Sequence, residues 1–268
     1  MNSMGRCAPV AYRAGPCQST FYLPGDPAME PTPLTMPLLR AAAWLGADPG
    51  DPALAPGADG FLDLAGGEPD VAFVERMQRR RLSTLARAFC HCAQRLRPPP
   101  GTPVVFASRH GESERNLAIF RDLAAGAEVS PTLFSLSVHN AVPGLWSILT
   151  GNRAPVTALA AGPETFPWGL VEALGASRAD PATPVLFVYA DDALPEPWAD
   201  PVPKGLPHAL GLLLGEPAGR RLMVTRDPAL RAVREPDLPL SLHCLRALRA
   251  GPGGFWAGPD GAWGWEWQ

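Results

Sequence analysis

Three short apolar runs, separated by segments with helical spacing, constrain the fold of this chain more than any other feature. The runs are Val104–Ala107, 156–161 and 185–189, with the sequences VVFA, VTALAA and VLFVY. Runs that are apolar throughout are typical of strands buried on both faces of a parallel sheet. Strands that alternate with helices therefore predict an α/β fold, in which a mainly parallel mixed sheet is layered with helices.

The other elements follow from residue spacing and from helix-breaking residues. Apolar side chains recur at steps of roughly three and four residues in 71–96 and predict one long helix: Phe73, Met77, Leu82, Leu85, Phe89 and Leu96. Pro98-Pro99-Pro100-Gly101 stops that helix. Further helices are predicted over 116–125, 134–149 and 168–174, strands over 38–45 and 222–225, and a helix or a strand over 206–214. The tail, 253–268, alternates Trp with Gly and acidic residues, which suits a hairpin or a packed terminus.

Length and charge bound the class of protein. A chain of 268 residues can bury a full core, and we expect a single domain over 36–268. Residues 1–35 are rich in Pro and Gly, which indicates a flexible leader or a translation start assigned too early. The net charge of −3 gives no electrostatic reason to expect nucleic acid or an anionic membrane as a partner. No run of about 18 apolar residues exists, so no transmembrane segment is predicted.

The cysteines and one basic run give weaker indications. Five cysteines are present, and none has metal-ligand spacing, so neither a metal nor a cofactor is predicted. Their odd number, together with the absence of a secretory signal, predicts a reduced, cytoplasmic protein. The basic run Arg79-Arg80-Arg81 is either a solvated helix face or a contact for an acidic partner.

The motif Arg109-His110-Gly111-Glu112, after the strand Val104–Ala107, is similar to the phosphate-binding signature of the histidine phosphatases. In that family the His takes the phosphoryl group and the Arg neutralises its charge. The family also needs a second His followed by Gly, but His139, His208 and His243 are followed by other residues. The alternative function is therefore phosphoryl or acyl transfer that uses His110 or His139, although no Gly-x-Ser-x-Gly elbow accompanies them.

A longer series of motifs resembles the N-terminal half of β-ketoacyl synthases, which have the thiolase fold. The series is Glu75-Arg76-Met77-Gln78-Arg79-Arg80, the strand before Ser108, Ser130-Pro131, His139-Asn140 with Gly144, and Gly151-Asn152-Arg153-Ala154-Pro155. The phrases SRHGE and SPTLFSLSVHNAVPGLWSI look like the short, chain-length-factor-like proteins of aryl polyene and xanthomonadin-type clusters. The resemblance covers 38–189 and implies a thiolase-like half-fold.

The resemblance also shows what is missing for condensation. Condensing enzymes carry a cysteine at the end of the next strand, where a helix N-terminus lowers the pKa of the thiol. Here Pro163 stands at the approximate nucleophile position, and no Cys lies between Cys92 and Cys244. The two catalytic histidines of a second half are also absent. The resemblance therefore implies a catalytically incomplete partner of a ketosynthase subunit, an acyl carrier protein or both, in type II fatty-acid or polyketide-like pigment assembly.

The segment after Pro131 lies near the dimer interface and the acyl channel in the thiolase fold. By that resemblance, six residues are candidates for a substrate or partner contact: Phe134, Leu136, His139, Asn140, Leu145 and Trp146. Packing into the core is an equally good interpretation of Phe134, Leu145 and Trp146. The resemblance implies a homodimer or a heterodimer.

Overall fold

The computed structural model describes residues 22–23, 33–48, 50–198, 206–232, 238–251 and 253–268. The strands are β1 (Tyr22–Leu23), β2 (Leu34–Leu45), β3 (Gly57–Ala58), β4 (Leu62–Gly66), β5 (Val104–Ala107), β6 (Val156–Leu159), β7 (Val185–Asp191), β8 (His208–Leu214), β9 (Arg220–Asp227), β10 (Arg231–Ala232), β11 (Gly253–Gly258) and β12 (Gly261–Trp267). The helices are α1 (Arg76–Arg79), α2 (Thr84–Leu96), α3 (Ser113–Ala124), α4 (Pro131–Ser135), α5 (Ala141–Thr150), α6 (Thr165–Ala179) and α7 (Leu240–Ala250). Most of the predicted leader, 1–35, lies outside the described residues.

One ten-stranded mixed sheet organises the chain. Its order is β11-β12-β9-β2-β8-β7-β5-β6, with β4 beside β2 and β3 beside β4. The strands β5, β6 and β7 are parallel to one another, as predicted, and β4 is parallel to β2. The other pairings in this sheet are antiparallel, and they outnumber the parallel ones. The expected predominance of parallel strands is thus corrected, because β8 returns between β7 and β2 and the C-terminal strands add by hairpin geometry.

Helices cover both faces of the sheet, which confirms the layered α/β fold. Side chains alternate along a strand, so β2 supplies Ala41, Ala43 and Leu45 to one core, whereas Ala42 and Trp44 enter the other. The first core contains α6 and α7, and the second contains α2 and α5. Every residue of β7 and β8 is buried, since both strands lie inside the sheet with helices on each face.

The predicted helix over 71–96 is divided in two. Ser83 begins α2 as its N-cap, and its hydroxyl accepts a hydrogen bond from the Ala86 backbone N–H. The residues before Ser83 form only the short helix α1, so Phe73 and Met77 are 41% and 75% exposed rather than packed in the core. The predicted stop is correct, since Arg97 ends α2 in the left-handed region, with φ of 48°, directly before the proline run.

Other boundaries differ from the sequence pattern in smaller ways. The predicted helix over 134–149 is two helices, α4 and α5, joined by a turn that carries His139. The strand β6 is half-exposed rather than buried, because it lies at the end of the sheet. The ambiguous segment 206–214 contains a strand, 222–225 lies within β9, and the tail forms the hairpin β11–β12 as predicted. No described helix is long and apolar enough to cross a bilayer.

Candidate functional site

One buried carboxylate holds the turn that follows β5. Asp191, the last residue of β7, lies beside this turn because β5 and β7 are parallel neighbours. Its Oδ1 accepts hydrogen bonds from the Ser108 hydroxyl at 2.8 Å and from the His110 backbone N–H at 3.1 Å. Its Oδ2 accepts from the Arg109 backbone N–H at 3.3 Å and from the Tyr189 hydroxyl. Burial is the main cause that raises the pKa of Tyr189 well above its usual value, and the nearby Asp191 charge adds to it.

His139 braces the same turn from the other side. Its Nε2 lies 2.9 Å from the Ser108 carbonyl oxygen, an arrangement in which the imidazole N–H donates. Gly111 has a φ of +57°, and a Cβ added there would lie 3.1 Å from His139 Cδ2. The Gly111 backbone N–H also donates to the Ser108 hydroxyl at 2.9 Å. A glycine is therefore required both by the backbone conformation and by the close approach of the His139 ring.

This geometry gives no support to the phosphoryl-transfer or acyl-transfer alternative. A phosphate-binding turn directs backbone N–H groups at the anion, whereas here those of Arg109 and His110 donate to a carboxylate. His139 activates neither Ser135 nor Ser137, because their hydroxyls donate to backbone carbonyls of their own segment. The His-Gly signature is thus a structural turn.

Where the sequence resemblance predicts the nucleophile position, the chain forms a 3-10 turn, Gly162–Glu164, that leads into α6. Pro163 is half-buried in this turn and has no nucleophilic group. The Thr165 hydroxyl donates to the Gly162 carbonyl at 2.7 Å and accepts from the Ala161 N–H at 2.8 Å, which fixes the turn. The parts of a helix N-terminus that would activate a thiol are present, but the thiol is not.

The described cysteines lie elsewhere and are poor nucleophiles. Cys90, Cys92 and Cys244 are free and buried. Burial raises the pKa of the Cys90 thiol to about 12, and it raises the pKa of the other two thiols as well. A thiol with so high a pKa supplies almost no thiolate at neutral pH.

Glu164 and side chains of α6, β9 and β12 lie together beside this turn. Glu164 is buried, and its Oε2 accepts from Trp168 Nε1 at 3.1 Å and lies 3.6 Å from the Arg226 guanidinium. That guanidinium lies 5.4 Å from the Trp168 ring and 5.6 Å from the Trp263 ring. One ion pair and two cation–π contacts thus hold the Arg226 guanidinium in place. In the sequence, only the positive charge within β9 and the Trp-rich tail could have indicated the contacts of Arg226.

Two histidines considered as catalytic partners are held by local contacts. The buried His208 has Nδ1 at 2.6 Å from the Leu206 carbonyl and Nε2 at 2.7 Å from the Ser241 hydroxyl. Since the carbonyl can only accept, Nδ1 carries the proton and Nε2 accepts from Ser241. On α7, burial lowers the pKa of His243 to about 4, with a smaller contribution from the Arg246 charge. No group of His, Cys, Asp and Glu within the described ranges is arranged to hold a metal ion.

The comparisons with known proteins place this geometry in a family. The β-ketoacyl synthase, N-terminal domain, has a family model that matches residues 59–268. The chain belongs to this family. The match continues far beyond residue 189, where the sequence resemblance weakens, since the C-terminal strands complete the same sheet.

A solved structure has the same fold over most of this chain. A chain from the structure of the ketosynthase ApeO in complex with its chain length factor ApeC, from Xenorhabdus doucetiae, is 29% identical, with a TM-score of 0.70. The match covers 87% of this chain and 99% of that chain, and the shared fold is thiolase-like. The ishigamide ketosynthase/chain length factor matches with 17% identity and a TM-score of 0.47 over 55% of this chain and 49% of that chain. The search of curated proteins finds no match.

Within the β-ketoacyl synthase fold, the six candidate contact residues divide into buried and exposed groups. Leu136, Leu145 and Trp146 are buried in the core that contains α2, and the Trp146 ring packs against Phe89 at 6.1 Å. His139 is half-buried under the turn, and Asn140 is exposed at the start of α5. Phe134 is 61% exposed on α4. The core interpretation therefore applies to Leu145 and Trp146, and Phe134 is available to a partner.

Proposed function

We propose that this chain is a non-condensing, chain-length-factor-like partner of a ketosynthase in type II fatty-acid or polyketide-like assembly, of the aryl polyene or xanthomonadin pigment type. The proposal is carried by the turn before α6, which holds Pro163 and the buried Glu164 and which, by sequence resemblance, we equate with the nucleophile position of the family. Proline has no group that can attack a thioester, and a carboxylate fixed by Arg226 is a poor substitute. The three free, buried thiols suit assembly in the reducing cytoplasm.

The match to the ApeO–ApeC complex supports a heterodimer. Because the match covers 99% of the other chain, a chain of comparable length is part of a ketosynthase–chain length factor complex. We infer that this chain likewise pairs with a separate ketosynthase subunit, which supplies the cysteine and the two histidines.

The exposed edge of the sheet is the surface that we assign to the ketosynthase. Among the described strands β6 pairs only with β5, so its other edge presents unpaired backbone groups. Val156 on β6 is 38% exposed, and Ile148 on α5, the helix beside β6, is 73% exposed. Apolar side chains next to an open strand edge favour a partner that adds a strand and covers them. Phe134, exposed on α4, is a further candidate contact with a partner.

The direct test is reconstitution with a ketosynthase subunit and an acyl carrier protein from the same genome. We expect no condensation by this chain alone, whereas the ketosynthase with this chain gives a product of defined length. Elongation of malonyl-carrier by the purified chain alone would contradict the proposal. So would an unchanged rate and product length when the chain is left out.

The interface is tested by co-purification of paired variants. Ile148→Glu places a charge beside the edge strand, and we expect it to abolish co-purification with the ketosynthase. Leu123→Glu is the matched control, since Leu123 is 59% exposed on α3 and the change adds the same charge. Phe134→Ala should weaken the complex or alter product length without lowering the thermal midpoint. Equal loss of binding by the Ile148 and Leu123 variants would contradict the assignment of the edge strand.

A second partner, an acidic acyl carrier protein, is favoured by the surface of α1. Arg76, Arg80 and Arg81 are exposed around the exposed Met77, and none of the three side chains forms an ion pair with a described residue. Arg79 differs, because its guanidinium donates to the backbone carbonyls of Val74 and Ala72. A cationic rim around an apolar side chain suits an acidic amphipathic helix.

The carrier contact is tested by charge reversal. We expect Arg80→Glu with Arg81→Glu to weaken binding of the carrier protein by at least about tenfold at low salt. Arg178→Glu, on the exposed face of α6, is the control with the same type of charge change. Binding that is insensitive to both salt and the double variant would rule out this surface.

A further inference from the structure

The short helix α1, which carries the proposed carrier surface, is held in place by side chains of other elements. A helix of four residues cannot sustain itself in water, because nucleation is costly and few hydrogen bonds offset it. Carbonyl groups at the end of a helix lack helical N–H partners and bind donors from elsewhere. The arrangement of Arg76, Arg80 and Arg81 on the surface therefore depends on the groups that supply those donors.

Two arginines from longer helices supply them. From α3, the Arg115 guanidinium donates to the Arg81 carbonyl oxygen at 2.7 Å. From α2, the Arg87 guanidinium donates to the carbonyl oxygens of Arg79 and Leu82, both at 3.3 Å. The end of α1 is thus tied to α2 and α3, and Arg81, one of the cations of the carrier surface, is held through its own backbone.

Glu112, the last residue of the Arg-His-Gly-Glu motif, holds Arg115. Its Oε2 accepts from Arg115 Nε at 2.8 Å, and its Oε1 accepts from the Ser83 hydroxyl at 2.7 Å. The side chains of Glu112 and Arg115 are 2% and 16% exposed, so solvent screens this ion pair little. Burial raises the pKa of Glu112, and the Ser83 hydrogen bond and the Arg115 charge oppose that rise. The carboxylate thus connects the turn after β5 with the N-cap of α2 and with the end of α1.

The shape of a guanidinium serves both contacts of Arg115. Its Nε–H donates to the carboxylate, while a terminal nitrogen reaches the Arg81 carbonyl. A lysine ammonium ends in a single nitrogen, so a lysine would keep the charge but not two donors in this spaced, planar arrangement. The backbone before Glu112 is held as well, by Asp191 and His139.

We propose that Glu112 and Arg115 are positioning residues of the carrier surface: they fix the end of α1, so that its cations meet an acidic carrier protein in one arrangement. This inference rests on the carrier contact proposed for α1. Glu112 acts through Arg115 and does not itself touch the carrier. A surface that is arranged before binding loses less conformational freedom in the complex and therefore binds more tightly.

Arg115→Lys, titrated calorimetrically with the acyl carrier protein of the charge-reversal experiment, is the main test. We expect a dissociation constant about three- to tenfold higher, because only a fraction of the molecules then holds α1 in the binding arrangement. The salt dependence of binding should stay as in the wild type, since no charge is removed. The number of binding sites should also stay the same, whereas a loss of folded chain would lower it. Arg121→Lys, the same change at an exposed position of α3, is the matched control and should leave the constant unchanged.

Glu112→Gln tests the route of the effect. It should raise the dissociation constant in the wild-type background and by much less once Arg115 is replaced by Lys, because Glu112 acts through Arg115. Without any carrier, the amides of residues 79–82 should exchange hydrogen faster in Arg115→Lys than in the wild type.

An unchanged dissociation constant in Arg115→Lys, with carrier binding still weakened by Arg80→Glu with Arg81→Glu, would overturn this inference alone. Unchanged amide exchange, or fully additive effects of the Glu112 and Arg115 changes, would do the same. Carrier binding that survives the double charge reversal would instead overturn the carrier surface, and this inference with it.

Discussion

Replacement of Asp191 by Asn tests whether one buried carboxylate holds the turn after β5. Each oxygen of Asp191 accepts two hydrogen bonds, one of them from Ser108 or Tyr189 and the other from the backbone of the turn. An amide nitrogen at either oxygen position cannot accept, so two donors lose their acceptor and face an N–H group instead. At 7% exposure, water cannot replace the lost acceptor without opening the turn.

The expected cost follows from these contacts. Hydrogen bonds to charged groups contribute roughly 1.5–3 kcal/mol each, and the two lost bonds share one side chain and are not additive. We expect Asp191→Asn to lower the free energy of unfolding by about 3–4 kcal/mol, and the thermal midpoint by roughly 6–12 °C for a chain of this size. Tyr189→Phe removes one donor without leaving an unsatisfied acceptor, and it should cost only about 1 kcal/mol.

Urea unfolding followed by circular dichroism measures the free energies, and amide hydrogen exchange of residues 109–111 reports on the turn itself. The double variant closes a thermodynamic cycle in which the Tyr189 effect should largely disappear once Asp191 is replaced. Asp191→Asn with a wild-type midpoint and protected turn amides would refute the reasoning. A Tyr189→Phe effect as large as that of Asp191→Asn would also refute it, because the tyrosine and not the turn would then dominate.

Three further perturbations have defined outcomes. Gly169→Ala in α6 should lower the free energy of unfolding by about 1–3 kcal/mol, because the added Cβ would lie 2.6 Å from Phe187, whereas Gly→Ala in an open helix stabilises it. Gly111→Ala should cost about 1–2 kcal/mol through its positive φ and should displace the His139 resonances in NMR spectra. The folded chain should lose stability as the pH falls from about 6.5 to about 4, since the unfolded state protonates His243 first; His243→Gln should flatten this part of the urea-midpoint profile.

Much of the fold could be predicted, because hydrophobic pattern decides where a strand or helix forms. Val104–Ala107 is a strand with the predicted bounds, and the tail is the expected hairpin. The break in the predicted helix over 71–96 was harder to predict. A serine such as Ser83 can lie inside a helix as well as at its N-cap, and here it is the N-cap of α2. The sequence of β8 does not indicate whether this strand runs parallel or antiparallel to its neighbours. A run that is apolar throughout carries no information about the orientation of its neighbours.

Residues of the candidate site could be predicted only where a sequence motif includes them. Pro163 lies in the turn before α6, and its place at the nucleophile position of the family stays a prediction. Asp191 was missed, although an acid two residues after the predicted strand 185–189 is a signal that could have been used. The contact of Glu164 with Arg226 joins residues far apart in the chain, and neither has a local pattern that reveals the other. Such pairs are set by sheet order, which sequence spacing does not contain.

The position of β2 inside the sheet has a consequence for synthesis on the ribosome. This early strand pairs with β8 and β9, which emerge only after some 160–190 further residues have been translated. At translation rates of roughly 5–20 residues per second, the apolar face of β2 waits on the order of ten to forty seconds for its neighbours. During this interval the nascent strand is a target for chaperones and for aggregation. The yield of folded protein should therefore rise with added chaperones and with a lower growth temperature. This rise should be larger than the stability of the folded chain alone would suggest.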